Sequence, residues 1–141
     1  MQFLKSILEI FGIVYLRFRP VPRLWCVWLV AVNGACLFFL DRVEAQVVLA
    51  VTVAAVAVQA VIYQRTGFTR ILGSAHVLWL PMFAWMATRA DIIQADSALA
   101  TWLTVLFATN AVSFIVDTAD AFRFLRGERS PHYTWARPAQ A

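Results

Sequence analysis

The chain has 141 residues, 62% of them hydrophobic and 14% charged, with a formal net charge of +4. A soluble domain carries about 25% charged residues, so a chain this apolar has too little polar surface to coat a water-soluble globule. Lipid is the expected solvent, and the length allows one membrane domain with no appended enzyme module. The basic balance does not point to nucleic acid, because no basic run with interleaved aromatics lies outside the apolar segments.

Residues 2–18 read as an amphipathic helix. Gln2, Lys5, Ser6, Glu9 and Gly12 recur on one side at helical spacing, and Phe3, Leu4, Ile7, Leu8, Ile10, Phe11 and Val14 cover the rest. A narrow charged stripe beside a wide apolar face places such a helix in the membrane interface; the alternative is a poor fifth span. Lys5 and Glu9 are one turn apart and can pair. The segment is not expected to be a secretory signal, since Glu9 interrupts it and it runs into Arg17, Arg19 and Pro20 instead of a small-residue cleavage site. Two prolines and three arginines over 17–23 then form a basic corner.

Four apolar segments follow, at 24–40, 47–63, 71–88 and 98–116. Each measures about 25–28 Å as a helix, against a hydrocarbon core of about 30 Å. The alternation of a barrel strand is absent, so helices are required. The expected fold is an all-α membrane protein, a four-transmembrane-helix bundle preceded by the N-terminal interfacial amphipathic helix. The stretch after residue 116 has no breaker before Gly127, so the fourth helix is expected to continue to about residue 126. A flexible tail, 130–141, follows it. Trp25, Trp28, Tyr63, Trp85 and Trp102 fall near predicted boundaries, as an aromatic belt would. Pro81 sits mid-span in the third segment and is expected to kink it.

Ten of the twelve Lys and Arg fall on the side of the termini and two, Arg42 and Arg89, on the other. The positive-inside rule then puts both termini in the cytoplasm of a bacterial inner membrane. This orientation sets depth. Asn33 is near the midplane, Gln59 is one turn from the cytoplasmic end, and His76 lies between one and two turns inside that end. Asn110, Ser113, Asp117 and Asp120 are spaced 3, 4, 3 and share one face of the last helix. If these faces turn inward, Gln59, His76, Asn110, Ser113 and Asp117 meet in the cytoplasmic third of the bundle, with Arg65, Arg70, Asp120 and Arg123 as charges on the cytoplasmic face. Such a cluster supports either an ionisable His76/Asp117 pair for proton relay, ion coordination or a polar head group, or plain interhelical hydrogen bonding.

Cys26 and Cys36 lie about 15 Å apart along one helix and cannot bridge each other. One His with two acids is a weak metal signature, even with His132 on the tail, and no cofactor is expected. Ala50, Ala54, Ala55, Ala57 and Ala60 give the second span a slim face, read as an intramolecular contact. Trp25/Asn33 and Trp102/Asn110 share a spacing of eight; the two helices run in opposite directions, so a simple duplication does not produce it and the match is read as coincidence.

Two stretches are more distinctive than composition requires: 67–81, GFTRILGSAHVLWLP, and 117–129, DTADAFRFLRGER. Together they resemble a group of uncharacterised small four-span inner-membrane proteins of proteobacteria. The resemblance implies the four-span architecture, carries no activity, and marks Arg70, His76, Asp117, Asp120 and Arg123. Small multidrug-resistance transporters, fluoride channels, thiol-oxidising membrane proteins and membrane glutathione-transferase relatives each need a motif that this chain lacks. The expected role is a non-enzymatic accessory or assembly subunit, homo-oligomeric or within a larger membrane complex. The alternative is a small transporter or channel using His76 and Asp117, with a lipid-directed enzyme third.

Overall fold

The computed structural model describes residues 1–130, which are helical with no strand among them. Helix α1 spans Gln2–Arg17 and α2 spans Pro20–Gly34, continued by a 3-10 turn at Ala35–Phe39. Helix α3 spans Val43–Thr66. A 3-10 helix at Arg70–Leu78 leads directly into α4, Trp79–Ala87. The short α5, Ala90–Gln94, precedes α6, Ser97–Leu125. The expected tail, with His132 on it, lies outside the described residues from 131 onward.

Three of these helical stretches are long and apolar enough to cross a membrane: Pro20–Phe39, Val43–Thr66 and Ser97–Leu125. By that measure the chain reads as a small membrane protein. The third segment expected from sequence, 71–88, is not one α-helix. Its first half is wound as 3-10 and only its second half as α.

That split changes the role of Pro81. It occupies the third position of α4 rather than the middle of a span. The 3-10 helix runs into α4 without a break, so the missing N–H removes one bond from the continuous ladder, next to the point where the winding changes from 3-10 to α. The corner before α2 is likewise tighter than expected. Only Phe18 and Arg19 separate the helices, and Pro20 and Pro22 lie inside the first turn of α2, where proline is well tolerated. At the other end of the chain Gly127, at φ +104, closes α6, a conformation that favours glycine.

Contacts define two ends of the bundle. At the near end, which carries the N-terminus, α1 is tied to α3: Tyr63 Oη donates to Glu9 at 3.0 Å and Gln64 Nε2 to Ser6 Oγ at 3.2 Å. Lys5 and Glu9 lie 3.7 Å apart across one turn. Ser6, Ile10 and Ile13 form the packed face of α1. Phe18 meets Phe68 edge-on at 5.5 Å. At the far end, Arg89 Nε donates to Glu44 at 2.7 Å, and Arg42 Nη2 to Asp96 at 2.5 Å. Asp96 also caps α6 by accepting from the amides of Ala98 and Leu99.

The core lies toward the far end. Val32, Cys36, Ala45, Val48, Trp79, Met82, Met86, Leu99, Trp102, Leu103 and Leu106 form one buried apolar block. Trp102 is therefore not a belt residue. Its ring stacks on Phe39 at 5.0 Å, and its indole N–H donates to the Val32 carbonyl at 2.9 Å. That carbonyl stands where α2 passes into the 3-10 turn and backbone acceptors shift by one residue. Both cysteines are free. Of the alanine run, Ala55 and Ala60 are buried, while Ala50 and Ala54 are exposed.

Candidate functional site

The near half of the bundle is built around the 3-10 helix. Nine residues of 3-10 is long, since runs beyond three or four are uncommon. The winding has a consequence for side chains. At about 3.0 residues per turn, positions three apart eclipse one another, so Arg70, Gly73, His76 and Trp79 stand in one row. In an α-helix the same residues would drift by roughly 60° at each step, and the row would spread around half the helix.

The row faces α6, which runs antiparallel to it. Arg70 Nη1 donates to Asp120 Oδ1 at 2.6 Å. His76 Nδ1 bonds to Asp117 Oδ2 at 2.6 Å. Between them, Gly73 lets the Asp117 side chain lie against the 3-10 backbone: a Cβ on Gly73 would come within 2.8 Å of the Asp117 Cβ and closer still to its carboxylate. Trp79 closes the row by stacking on the His76 ring at 4.0 Å with 8° between the planes.

Helix α3 supplies the third partner. Gln59 Nε2 lies 3.2 Å from His76 Nε2. A carboxylate accepts only, so the His76 Nδ1–H donates to Asp117, and Nε2 faces the Gln59 amide. The result is a Gln59–His76–Asp117 chain across three elements, with Arg70–Asp120 one turn nearer the end.

Of the candidate residues named from sequence, the structure brings Gln59, His76 and Asp117 into direct contact. Asn110 is not part of that group. It is fully buried and pairs with Asn33 in a reciprocal amide bond, at 2.9 and 3.1 Å. Asn33 also donates to the Leu29 carbonyl at 2.9 Å. Ser113 accepts from the Trp25 indole at 2.9 Å, and Trp28 donates to Thr109 at 3.1 Å. These bonds form the seam between α2 and α6. Among the charges, Arg123 lies 3.9 Å from Asp120 and 2.9 Å from Glu128, and Arg70 also reaches Glu128 at 3.6 Å. The Arg123 guanidinium, donating to it, holds the Glu128 carboxyl below its ordinary range. Arg65 is exposed in the last turn of α3 and stays outside the network.

Beside the polar chain lies a cavity of about 380 Å³. Gln59, Arg70, His76, Ser113, Asp117 and Asp120 line one side of it. Its remaining wall is mostly apolar and is drawn from α1 (Ile10, Phe11, Val14), α2 (Trp25, Leu29, Val30) and α3 (Ala55, Val56). The cavity reaches Asn33 and Gly34 and stops there. Toward the far end the space is filled by the apolar block.

Three contributors escaped the sequence reading: Gly73, the α1 wall, and the aromatic pair Trp25 and Trp79. The repeat of three from Arg70 to Trp79 was visible, but it has meaning only once the segment is known to be 3-10. Among the described residues no group of three or more His, Cys, Asp or Glu could hold a metal ion. Comparison with protein-family models, with curated proteins and with solved structures finds no match for this chain.

Proposed function

We propose that the protein binds a small amphiphilic molecule in the near half of its bundle. The cavity carries this reading: about 380 Å³ of space with apolar walls and one polar side formed by Gln59, His76 and Asp117. Ligand sites have this character, a mostly apolar concavity of about 300–1,000 Å³ with a few convergent polar groups. In this reading Arg70–Ala87 is an irregular fourth span. Departure from α geometry at membrane depth is tolerated where the backbone is covered by protein or lines a cavity, and this segment does both. The charge asymmetry, with ten of twelve Lys and Arg toward the termini, supports a cytoplasmic near end.

The experiment is extraction in a mild detergent followed by mass spectrometry of co-purifying small molecules, comparing wild type with Gly34→Leu. Gly34 lines the cavity, its backbone is helical, and a Cβ there meets nothing within 4 Å. The leucine therefore fills the space without a clash at Cβ, and helix propensity favours it by about 0.8–1 kcal/mol. Wild type is expected to carry a stoichiometric amphiphile, and Gly34→Leu to lose it while melting no lower. A wild-type protein that carries nothing, or a variant that carries as much, overturns the reading.

One observation favours a second reading, an accessory subunit. Ala50 and Ala54 are exposed on α3 beside Val53, which is 61% exposed. A slim strip of this kind is where a helix of another subunit packs closest. Co-purification of a stoichiometric protein partner, abolished by Ala54→Phe, would support it.

A further inference from the structure

The cavity's charge and hydrogen-bond inventory points to the kind of molecule it takes, an inference that rests on the amphiphile reading above. The lining contributed by α1, α2 and α3 holds no charged side chain. The charged or titratable groups come from the 3-10 helix, Arg70 and His76, and from α6, Asp117 and Asp120, with the Cys26 thiol of α2 and the Tyr15 phenol of α1 as the remaining titratable groups. Arg70 is committed: it bonds Asp120 at 2.6 Å and lies 3.6 Å from Glu128. Asp117 has no guanidinium on it. Its partner is the imidazole of His76, which also meets Gln59.

The lining therefore carries two carboxylates, Asp117 and Asp120, against one guanidinium, with the His76 imidazole between Asp117 and Gln59, in a largely apolar space. Spare hydrogen-bonding capacity includes the hydroxyls of Tyr15 and Thr52, which donate or accept, and acceptors beside the polar chain. Asp117 keeps lone pairs beyond the one facing His76, and the Gln59 carbonyl oxygen remains an acceptor. Carboxylates at membrane depth are costly and need a compensating cation or donor. An anionic head group would be repelled here, and a purely apolar guest would leave the acceptors unmet. Trp25 and Trp79 in the lining add aromatic surface, which suits an ammonium.

We infer that the cavity accepts a small lipophilic amine, its ammonium against Asp117 and Gln59 and its hydrocarbon against Phe11, Val14, Leu29 and Val56.

The test uses full-length protein in nanodiscs of uncharged lipid, titrated at pH 7 with decylamine, decanol and decanoate, with tryptophan emission as the readout. Gly34→Leu, which narrows the cavity at its inner end, is run beside wild type, and the non-saturable part of each titration, which reports partition into the lipid, is subtracted. Saturable decylamine binding at least tenfold tighter than that of decanol or decanoate is expected. Asp117→Asn, which keeps an acceptor for His76, is expected to lower decylamine affinity to that of decanol and leave decanol unchanged. Gln59→Glu, which adds a carboxylate without touching α6, is expected to widen the preference for the amine; it keeps the test decisive if Asp117→Asn does not fold. If decanol or decanoate binds as tightly as decylamine, the cavity reading stands and the amine assignment is overturned. If none of the three binds saturably, the cavity reading falls and the amine assignment with it.

Discussion

An asparagine inside a membrane helix brings donors and an acceptor that hydrocarbon cannot satisfy. In this chain two of them solve the problem together: each amide of Asn33 and Asn110 gives one N–H to the other's oxygen. The pair sits where the cavity ends and the apolar block begins. A double-mutant cycle is the proper measure of it. Asn33→Leu and Asn110→Leu are each expected to destabilise the protein, because each leaves a buried amide facing a methyl group. The double substitution is expected to cost less than the two single costs added together, with a coupling of about 0.6–1.7 kcal/mol, the range found between helices in bilayers. Strict additivity in reversible unfolding from detergent would show that the amides do not stabilise the bundle through each other. The sequence held a trace of this pair in the shared spacing of eight between Trp25 and Asn33 and between Trp102 and Asn110. That spacing could not be read alone. It becomes meaningful when α2 and α6 lie antiparallel and Trp102 reaches back to the Val32 carbonyl.

At the scale of elements, the 3-10 helix decides which side chains meet. Residues 71–88 read naturally as one membrane helix, since composition and length are those of a span and hydrophobicity does not distinguish 3.0 from 3.6 residues per turn. The choice is made by tertiary contact: Gly73 removes the Cβ that would hold the segment away from α6, and α winding begins at Trp79, two residues before Pro81. His76, Gln59 and Asp117 were legible as a polar group at one depth because Gln59 and His76 interrupt apolar segments near the same end and Asp117 continues the polar face of Asn110 and Ser113 there. Their order along a hydrogen-bonded chain was not, since it depends on the winding. Gly73→Ala tests this directly. Its φ is ordinary, so the methyl group has no backbone penalty, yet it would overlap the Asp117 side chain. The expected result is a loss of about 1–3 kcal/mol, the usual cost of overpacking. The companion substitution Asp117→Ala, which vacates the space, should remove most of the penalty when combined with it. If Gly73→Ala is neutral in thermal melts, Asp117 does not occupy the position assigned to it.

For the whole molecule, the two halves of the bundle differ in kind. The near half has a cavity with a polar side, and the far half is dry. Its buried block runs from Val32 and Cys36 through Met82 and Met86 to Leu103 and Leu106. Beyond that block Glu44, only 2% exposed, is held by Arg89, and Arg42 by Asp96. These far-end pairs were legible in outline, because each of the two loops carries one base and two acids. Which partner each base takes depends on how α3, α5 and α6 come together. An ion or proton crossing a single chain would have to leave the near cavity and pass the Asn33–Asn110 pair. It would then move through a block that is aliphatic, thioether and aromatic apart from the indole N–H groups of Trp79 and Trp102 and the Cys36 thiol, and that holds no ionisable partner for a cation, so an unpaired charge there is costly. Wild-type protein reconstituted in liposomes is therefore expected to dissipate a pH or potassium gradient no faster than protein-free vesicles. Emptying the block with Leu106→Ala and Met82→Ala together should also leave the rate near that baseline, since a cavity lined by methyl and thioether groups stays dry. A gradient that collapses in proportion to the amount of wild-type protein added would mean that the path runs through an assembly of several copies. The near-half cavity would then be the vestibule of a pore and not a closed binding site.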